Sequence, residues 1–568
     1  MKKLTKYIKI TIGVISFCLI NTIMAQDISS EKNRPLGYTI SSLSEITTNK
    51  ILPAKDIDSI VQFDKRMRQR SRRGFPHRIG YQNRINTNIM NSSFWQKVDK
   101  DRIVLFNLKI EDAKAVYLLF EKFWLPNGSK LFIYNKQKTH FVGPYNHTNN
   151  NGSRTHVKGF CSGMVAGDEI IVEYHPPENN NLQAIIILES IINVYNPPGF
   201  IVNEIKEYFQ AKGYDYSGYG DFLLSGDCQV NVNCSPEGDN WHDEKKSVVL
   251  ILRSNGTHCT GFLINNTRND DTPLLITANH CLEDDLSLWN FYFMYEADAS
   301  VCPYPEWGDE EPSAVELTNG GTLLAHDSDL DFALLKLTKN PKEVLSEDSI
   351  YYAGWDRTND QPNGGVGIHH PQGDVKMIST VDGNQYPNET DCFDYYPVLH
   401  WGIGWKETVN NWSALEYGSS GSPLFNANSK VIGQCRGTCF NADNPCDNPG
   451  GQYAVYGKFY NSWNNGSNQN ERLKDWLDPY GINPTALDGR YSGSSMVNPC
   501  KYDPDGGLVK DFTITTDLSY PVQCNSYTFQ NVTIKNNASV TVNYDENVIL
   551  ESGFEVKLGS SFKTIAQE

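Results

Sequence analysis

The stretch Gly418-Ser419-Ser420-Gly421-Ser422-Pro423 places a serine between glycines, close to a proline. Two earlier stretches complement it: Thr277-Ala278-Asn279-His280-Cys281, and the apolar run Phe332–Leu337 headed by Asp331. A histidine, an aspartate and a serine therefore occur in that chain order. A serine hydroxyl becomes an effective nucleophile when a histidine takes its proton and a carboxylate orients the imidazole. The three stretches thus predict a fold that brings these side chains together.

Each of the three residues has an expected role in acyl transfer. Ser420 would attack a carbonyl carbon, His280 would act as general base and then general acid, and Asp331 would orient the imidazole. The backbone N–H groups of Gly418 and Ser420 are the expected donors to the oxyanion. Gly418 and Gly421 permit the tight backbone that such a site needs. Singly, each stretch has a structural explanation, as a loop histidine, a strand-end charge or a flexible turn; together, in this order, they favour a catalytic site.

Composition bounds the class of protein. A chain of 568 residues predicts two to four domains. The formal net charge of −17 argues against a nucleic-acid partner. Thirteen cysteines, most of them between 228 and 446, indicate disulfides formed in an oxidising compartment. No metal or other cofactor is expected, because Cys435 and Cys439 form a single loose pair and the adjacent His369 and His370 would point to opposite faces of an extended chain.

The first 26 residues have the pattern of a secretory signal peptide: four early lysines, an apolar run from Ile10 to about Ile23, and a small residue before Gln26. A membrane anchor is the alternative, although the apolar run is short for a span. Residues 27–222 follow, with short strand-like runs from about 100 to 195 that predict a β-sandwich. The Gly- and Tyr-rich residues 213–222 predict a linker.

Two further segments complete the predicted organisation. Residues 223–485 hold most of the cysteines and end on a predicted helix over Glu471–Asp478, stopped by Pro479. Residues 486–568 predict a linker and a C-terminal β-rich module. Short apolar steps separated by Asn, Gly and Ser suggest a small β-solenoid or strand array there.

The chain from about Leu223 to Pro479 resembles the bacterial lysyl endopeptidases, secreted serine proteases with the chymotrypsin fold. The landmarks, beyond the His280, Asp331 and Ser420 stretches, are Cys228, Cys234, Cys259–Gly261, Asn265–Thr267, Ala353–Arg357, Ile368–Pro371 and Asp475–Pro479. The resemblance implies a mainly β fold with two β-barrels and the site between them. It also implies the disulfides Cys259–Cys281 and Cys234–Cys302, and one from Cys228 to Cys439 or Cys446.

The pocket beside Ser420 departs from this family. Lysine selectivity needs a buried carboxylate. The family's position for it aligns with Ala454, and the trypsin-style position, six residues before Ser420, is Ala414. A histidine beside the family's pocket aligns with Arg436, while Gly437 leaves the entrance open. Because an unpaired buried ammonium is costly, the sequence favours an apolar or aromatic residue at P1, the substrate position before the cut bond.

True lysine specificity remains the alternative, with Asp443 or Asp447 supplying the charge. The expected maturation point, Phe222–Leu223, has no Lys or Arg before the bond, which favours the apolar hypothesis.

The resemblance has consequences outside the site. Ser419 stands where vertebrate-type enzymes carry an aspartate that captures a new N-terminal amine, so that activation switch is absent. Residues 27–222 are interpreted as a propeptide that assists folding and blocks the cleft. The C-terminal module resembles those of secreted Bacteroidetes-type proteins, which implies export or retention at the cell surface.

The expected partners are therefore protein or peptide substrates, the chain's own propeptide and, through the C-terminal module, a surface or secretion machinery. The expected location is extracellular. Two rivals remain: a non-catalytic surface protein that uses a protease-like fold for adhesion, and acyl transfer to a substrate other than a peptide.

Overall fold

In this computed structural model, the described residues are 34–39, 48–70, 77–98, 101–178, 182–213, 225–299, 301–303, 312–385, 396–439, 446, 450, 453–479, 481–493, 507–514, 518–520, 526–534, 539–544, 547–550, 552–558 and 560–566. The predicted signal peptide, most of the predicted linker at 213–222 and the expected cut at Phe222–Leu223 lie outside them. The expectation of a mainly β protein is confirmed.

The N-terminal module, residues 34–213, packs two sheets face to face. One sheet contains Lys50–Leu52, Trp95–Val98, Asp101–Ile110, Lys130–Asn135, Phe141–Tyr145 and Glu169–His175; the other contains Gly80–Asn88, Ala115–Trp124, Phe160–Cys161, Val165–Ala166 and Ile185–Val194. Alternate residues of both sheets, such as Phe106 and Leu118, meet in one core. A hairpin of Gly152–Ser153 and His156–Val157 and the helices Leu36–Thr39, Ile57–Arg70 and Val202–Ala211 complete the module.

The central region, residues 225–493, contains two larger sheets. The first consists of Val248–Leu252, Thr257–Leu263, Leu274–Ala278, Asn290–Phe293, Val315–Leu317, Gly321–Asp327 and Phe332–Leu337. In the second, Gly365–His369, Met377–Gln385, His400–Trp405, Tyr453–Lys458, Lys430–Cys439 and Pro423–Asn426 close into a six-stranded barrel, and Gly354–Asp356 and Ala486–Leu487 extend it. The α-helices among the described residues of this region are Phe459–Asn464 and Lys474–Leu477.

The end of the central region differs in local structure from the sequence expectation. The helix predicted over Glu471–Asp478 is a single turn, Lys474–Leu477. Just beyond the predicted domain end at residue 485, Ala486–Leu487 pairs with Gly354–Asp356. Arg490–Tyr491 likewise pairs with Tyr351–Tyr352. The central region therefore keeps residues that the sequence assigned to a linker.

The C-terminal module pairs its strands in parallel. One set is Gly507–Ile514, Ser526–Ile534, Asn547–Leu550 and Glu555–Val556; the other is Leu518–Tyr520, Ser539–Tyr544 and Ser561–Ala566. Val540 lies opposite Leu518 on one side and Phe562 on the other. Successive turns of chain therefore stack in register. Across the described part of the chain, no helix has the length and apolar character that a bilayer span requires.

The N-terminal module packs on the first sheet of the central region. Tyr117 and Leu119 of the module share a core with Leu250 and Tyr292. The Tyr117 hydroxyl donates to the backbone oxygen of Arg253 at 2.8 Å. A two-residue strand of the module, His77–Arg78, also joins the first sheet by pairing antiparallel with Thr257 and His258.

Candidate active site

His280 and Asp331 form a tightly bonded pair. His280 lies in a single turn after the strand Leu274–Ala278, and its Nδ1 is 2.7 Å from Asp331 Oδ2. Asp331 Oδ1 also accepts the His280 backbone N–H at 2.9 Å. Because the carboxylate accepts, Nδ1 carries the proton and Nε2 keeps its lone pair. Among the described residues, Nε2 has no hydrogen-bond partner, the Ser420 hydroxyl included.

The backbone of Asp331 is held as firmly as its side chain. Its φ is 61°, in the left-handed region that aspartate tolerates better than most residues. Its carbonyl accepts the Asn279 N–H at 2.9 Å. Just upstream, the Leu330 carbonyl accepts Gln434 Nε2 from the second sheet at 2.8 Å. The aspartate therefore lies where the two sheets meet.

Ser420 is brought to the same place by contacts of its loop with the first sheet. The Thr260 N–H donates to the Ser420 carbonyl at 2.9 Å. Gly421 has φ 86°, and a Cβ there would lie 2.3 Å from Thr277 Oγ1 and 2.7 Å from the Ala278 nitrogen. Since Ala278 precedes the turn that carries His280, only glycine lets the serine loop approach the histidine so closely.

The loop before Ser420 orients the two backbone N–H groups that the sequence suggests as oxyanion donors. The Gln372 N–H donates to the Tyr417 carbonyl at 2.6 Å. In a trans peptide the N–H points opposite to the C=O, so the Gly418 N–H faces away from Gln372. Gly418 has φ 92°, and its carbonyl accepts the Thr260 hydroxyl at 2.9 Å. Within the described residues, the N–H groups of Gly418 and Ser420 have no protein acceptor, which leaves both available to an oxyanion.

Ser419 has a partner that the sequence did not suggest. Its hydroxyl lies 2.9 Å from His369 Nδ1, and His369 Nε2 lies 2.9 Å from the hydroxyl of Ser379. Burial lowers the pKa of His369 to about 3, so the ring is neutral. His370 turns the other way, its Nδ1 2.8 Å from the Asp374 carbonyl. The two histidines therefore serve different parts of the structure.

Glu416 is the functional candidate that sequence reasoning missed. Its Oε1 accepts the Gly226 N–H and Gln229 Nε2, both at 2.7 Å, and its Oε2 accepts Gln372 Nε2 at 2.6 Å. Burial raises the pKa of the carboxyl, and these hydrogen bonds oppose the shift. Gln372 therefore holds both the Glu416 side chain and the Tyr417 carbonyl, which ties the oxyanion loop to the start of the central region.

The side chains at the predicted pocket positions are either apolar or already hydrogen-bonded to the protein. Ala414 and Ala454 are fully buried, and Ala454 pairs with Thr438 in the barrel. A Cβ on Gly437 would meet nothing within 4 Å, so this position is open. The buried Arg436 donates through Nη1 to the Asp329 carbonyl at 2.6 Å, beside the segment that leads to Asp331. Asp443 and Asp447 lie outside the described residues.

The structure contains the disulfides Cys228–Cys446, Cys234–Cys302 and Cys259–Cys281. The first selects Cys446 from the two partners that the resemblance implies for Cys228. The third closes a loop of 22 residues between the strand beside Ser420 and the turn of His280. In the chain-entropy model such a loop contributes about 3 kcal/mol. Cys161 and Cys435 are buried free thiols.

The arrangement of Ser420, His280 and Asp331 is compatible with acyl transfer. No group of acidic, histidine or cysteine side chains suited to a metal ion occurs in the described ranges.

Comparison with known proteins indicates a protease. Residues 222–457 match the family model described as the C-terminal domain of lysyl endopeptidase. A lysyl endopeptidase of Pseudomonas aeruginosa is 28% identical over 309 residues, covering 52% of this chain and 60% of that protein. The chain therefore spans about three fifths of the length of this curated relative. The two similarities support a lysyl endopeptidase-like protease.

Solved protease structures show a weaker likeness. The Rv3671c protease in its inactive form has 18% identity and a TM-score of 0.22, covering 38% of this chain and 84% of that chain. Deg5 has 16% identity and a TM-score of 0.24, covering 38% and 87%. Kallikrein-related peptidase 10 has 14% identity and a TM-score of 0.26, covering 38% and 92%. TM-scores this far below 0.5 carry no argument about this chain.

Proposed function

We propose that the chain is a secreted serine endopeptidase, made as a preproenzyme, that hydrolyses peptide bonds through an acyl-enzyme. The observation that carries this proposal is the bonding of His280 to Asp331 with Nε2 left unengaged. The strand contacts that bring the Ser420 loop to the same place support it.

The proposed reaction has two steps. Ser420 Oγ attacks the carbonyl carbon while His280 Nε2 takes its proton, and Asp331 stabilises the resulting imidazolium. The oxyanion is bound by the N–H groups of Gly418 and Ser420. The C–N bond breaks as His280 gives its proton to the leaving amine. Water then attacks the acyl-enzyme by the same route and releases Ser420.

For the P1 residue we propose an apolar or aromatic side chain. Ala414 and Ala454 have no charged side chain. Glu416, the acidic residue nearest to Ala414 in the sequence, already accepts hydrogen bonds from three N–H donors. The alternative, lysine specificity, takes support from the name of the matched relative. Cleavage profiling of a peptide library with the processed protein decides: predominant cutting after Lys would sink the apolar proposal.

The rival of another class is a non-catalytic surface protein that uses this fold for adhesion. A fluorophosphonate probe separates the two, because it labels only an activated serine. We expect label on Ser420 in the processed protein and none in a Ser420→Ala control. An unlabelled, folded wild type would favour adhesion. Acyl transfer to other substrates shares the site, and the same library tests it: labelling without peptide cleavage would favour it.

For the rest of the chain we propose the roles that its position suggests. Residues 27–222 act as a propeptide that aids folding and inhibits the site, which the packing of Tyr117 against Arg253 supports. The C-terminal module serves export or surface retention, and its stacked parallel strands are consistent with a short β-solenoid.

A further inference from the structure

One edge of the strand Thr257–Leu263 is shared by the N-terminal module and the serine loop. Residues two apart on a strand present their backbone groups to the same edge. The backbone groups of Gly256, His258 and Thr260 therefore face one edge. The Gly256 carbonyl accepts the N–H groups of Ile79, at 2.8 Å, and Gly80. His258 lies opposite His77. Thr260 donates to the Ser420 carbonyl at 2.9 Å.

A bound peptide would need this same edge. A peptide whose carbonyl sits at Ser420 has residues beyond the cut bond, and those residues must leave the site as an extended chain. Along the strand, His258 is only two residues, about 7 Å, from Thr260. An extended peptide that leaves antiparallel to this strand therefore meets the backbone groups that now pair with His77–Arg78.

The catalytic loop is already formed in the uncut chain. The segment Ser225–Gln229 is bonded in place: Ser225 Oγ donates to Asp374 Oδ2 at 2.7 Å, and the Gly226 N–H donates to Glu416. Gln229 Nε2 donates to Glu416 and to the Ala414 carbonyl. These donors are a hydroxyl, a backbone amide and a side-chain amide, so none of them requires a free amine.

Resting on the proposed endopeptidase function, we infer that the full-length chain has a competent catalytic centre. The N-terminal module inhibits it by adding His77–Arg78 to the edge at Gly256–His258. There it competes with the substrate residues that follow the cut bond. Inhibition is then selective, since a substrate with nothing beyond its leaving group escapes it.

The test compares two substrates on the uncut chain and on the processed chain, with intact mass checked before and after each assay. One is a peptide aminomethylcoumarin amide, and the other is an internally quenched peptide that continues four residues past the cut. Ile79→Pro removes one of the two N–H groups that the Gly256 carbonyl accepts, while Gly80 keeps the other, and the sequence of the central region is unchanged. Ile79→Val keeps both N–H groups and is the matched control.

We expect the uncut chain to be labelled by fluorophosphonate and to cleave the coumarin substrate within about threefold of the processed chain. The quenched peptide should be cleaved at least about tenfold more slowly by the uncut chain. Ile79→Pro should recover about tenfold on the quenched peptide, the effect of one backbone hydrogen bond. It should leave the coumarin rate unchanged, and Ile79→Val should behave as wild type.

Three outcomes would overturn parts of this scheme. An uncut chain inert to both the probe and the coumarin substrate, with an active processed chain, rejects the inference and leaves the endopeptidase standing. Equal suppression of the two substrates, or no effect of Ile79→Pro on their ratio, also rejects it. A processed chain inert to probe and substrates rejects the proposed function itself.

Discussion

Asp331 orients His280, since its two oxygens bind the ring Nδ1 and the backbone N–H of the same residue. In Asp331→Asn, the amide can donate to Nδ1, which moves the ring proton to Nε2 and removes the base. We expect kcat on the best library peptide to fall by about 10⁴-fold. Asp329→Asn, an exposed change two residues away, is the matched control and should keep full activity. A loss below tenfold in Asp331→Asn would contradict the assigned role.

Glu416 is predicted to hold the oxyanion loop through the donors of Gly226, Gln229 and Gln372. Glu416→Gln replaces one acceptor oxygen by an NH2 group that must face one of these donors. A buried mispaired donor costs about 1–3 kcal/mol, so thermal unfolding of the full chain should shift downward. The coumarin rate should fall with it.

Glu407→Gln is the control for the Glu416 experiment, because Glu407 is an exposed glutamate in the same region. It should change neither the melting temperature nor the rate. If Glu416→Gln behaves in the same way, Glu416 is not the anchor of the loop.

The candidate catalytic residues could be proposed from the sequence because each lies in a local stretch that needs no partner to be recognised. Glu416 could not, because its ligands come from Gly226, Gln229 and Gln372, far away in the chain. No local pattern of Leu415-Glu416-Tyr417 indicates a buried carboxylate. The hydrogen bonds of Glu416 are therefore recognisable only once the fold is known.

At the scale of elements, the conformation of the serine loop requires glycine at 421, because two strands lie close to this residue. Gly421→Ala would place a Cβ 2.3 Å from Thr277 Oγ1 and 2.4 Å from the Thr260 carbonyl oxygen, and φ is 86°. We expect loss of fluorophosphonate labelling and a lower melting temperature. Gly481→Ala is the matched control, with φ 66° and nothing within 4 Å of its Cβ.

The comparison of these two alanine variants separates backbone strain from steric contact. Positive φ alone costs a non-glycine residue about 1 kcal/mol, so Gly481→Ala should melt slightly lower and stay active. Equal effects of the two variants would mean that the contact with Thr277 and Thr260 is not what requires glycine at 421.

Strands with alternating or continuous apolar residues could be predicted from the sequence, and strands with mostly polar residues could not. The strands near Ile103, Ala115 and Glu169 alternate or run apolar, and they form as expected. Gly80–Asn88 contains few apolar residues and becomes a strand only by pairing with Ile185–Val194. Ala486–Leu487 is likewise a strand only because Gly354–Asp356 lies beside it. In both segments, pairing with a neighbouring strand determines that the chain is extended, because the local sequence has no strand pattern.

At the scale of the whole molecule, Glu316 lies where the N-terminal module meets the central region. Its Oε1 accepts the Tyr292 hydroxyl at 2.6 Å and Asn290 Nδ2 at 3.0 Å. Asn290 also donates to the Ser162 carbonyl of the module. A Cβ on Gly163 would lie 2.5 Å from Glu316 Oε2, so the module covers this carboxyl.

Burial raises the pKa of Glu316 from 4.5 to about 7, and its two hydrogen bonds oppose the shift. Departure of the module returns water to the carboxyl and lowers its pKa again, so association takes up a proton between these two values. Affinity between module and central region should therefore fall as pH rises toward about 7, by up to about tenfold per unit, and level off above it. The module should therefore bind the central region more tightly at pH 5 than at neutral pH.

The measurement uses the full chain cut by an added protease between residues 213 and 225, with the two fragments separated by size exclusion from pH 5 to 8. Glu316→Gln cannot take up the proton, so its fragments should remain associated with little pH dependence attributable to this site. Glu283→Gln, whose side chain is 67% exposed, should titrate as wild type. Since histidines also titrate in this range, the decisive quantity is the difference in slope between the two variants. Parallel slopes would remove Glu316 from the control of module release and leave the strand pairing at His77–Arg78 to act alone.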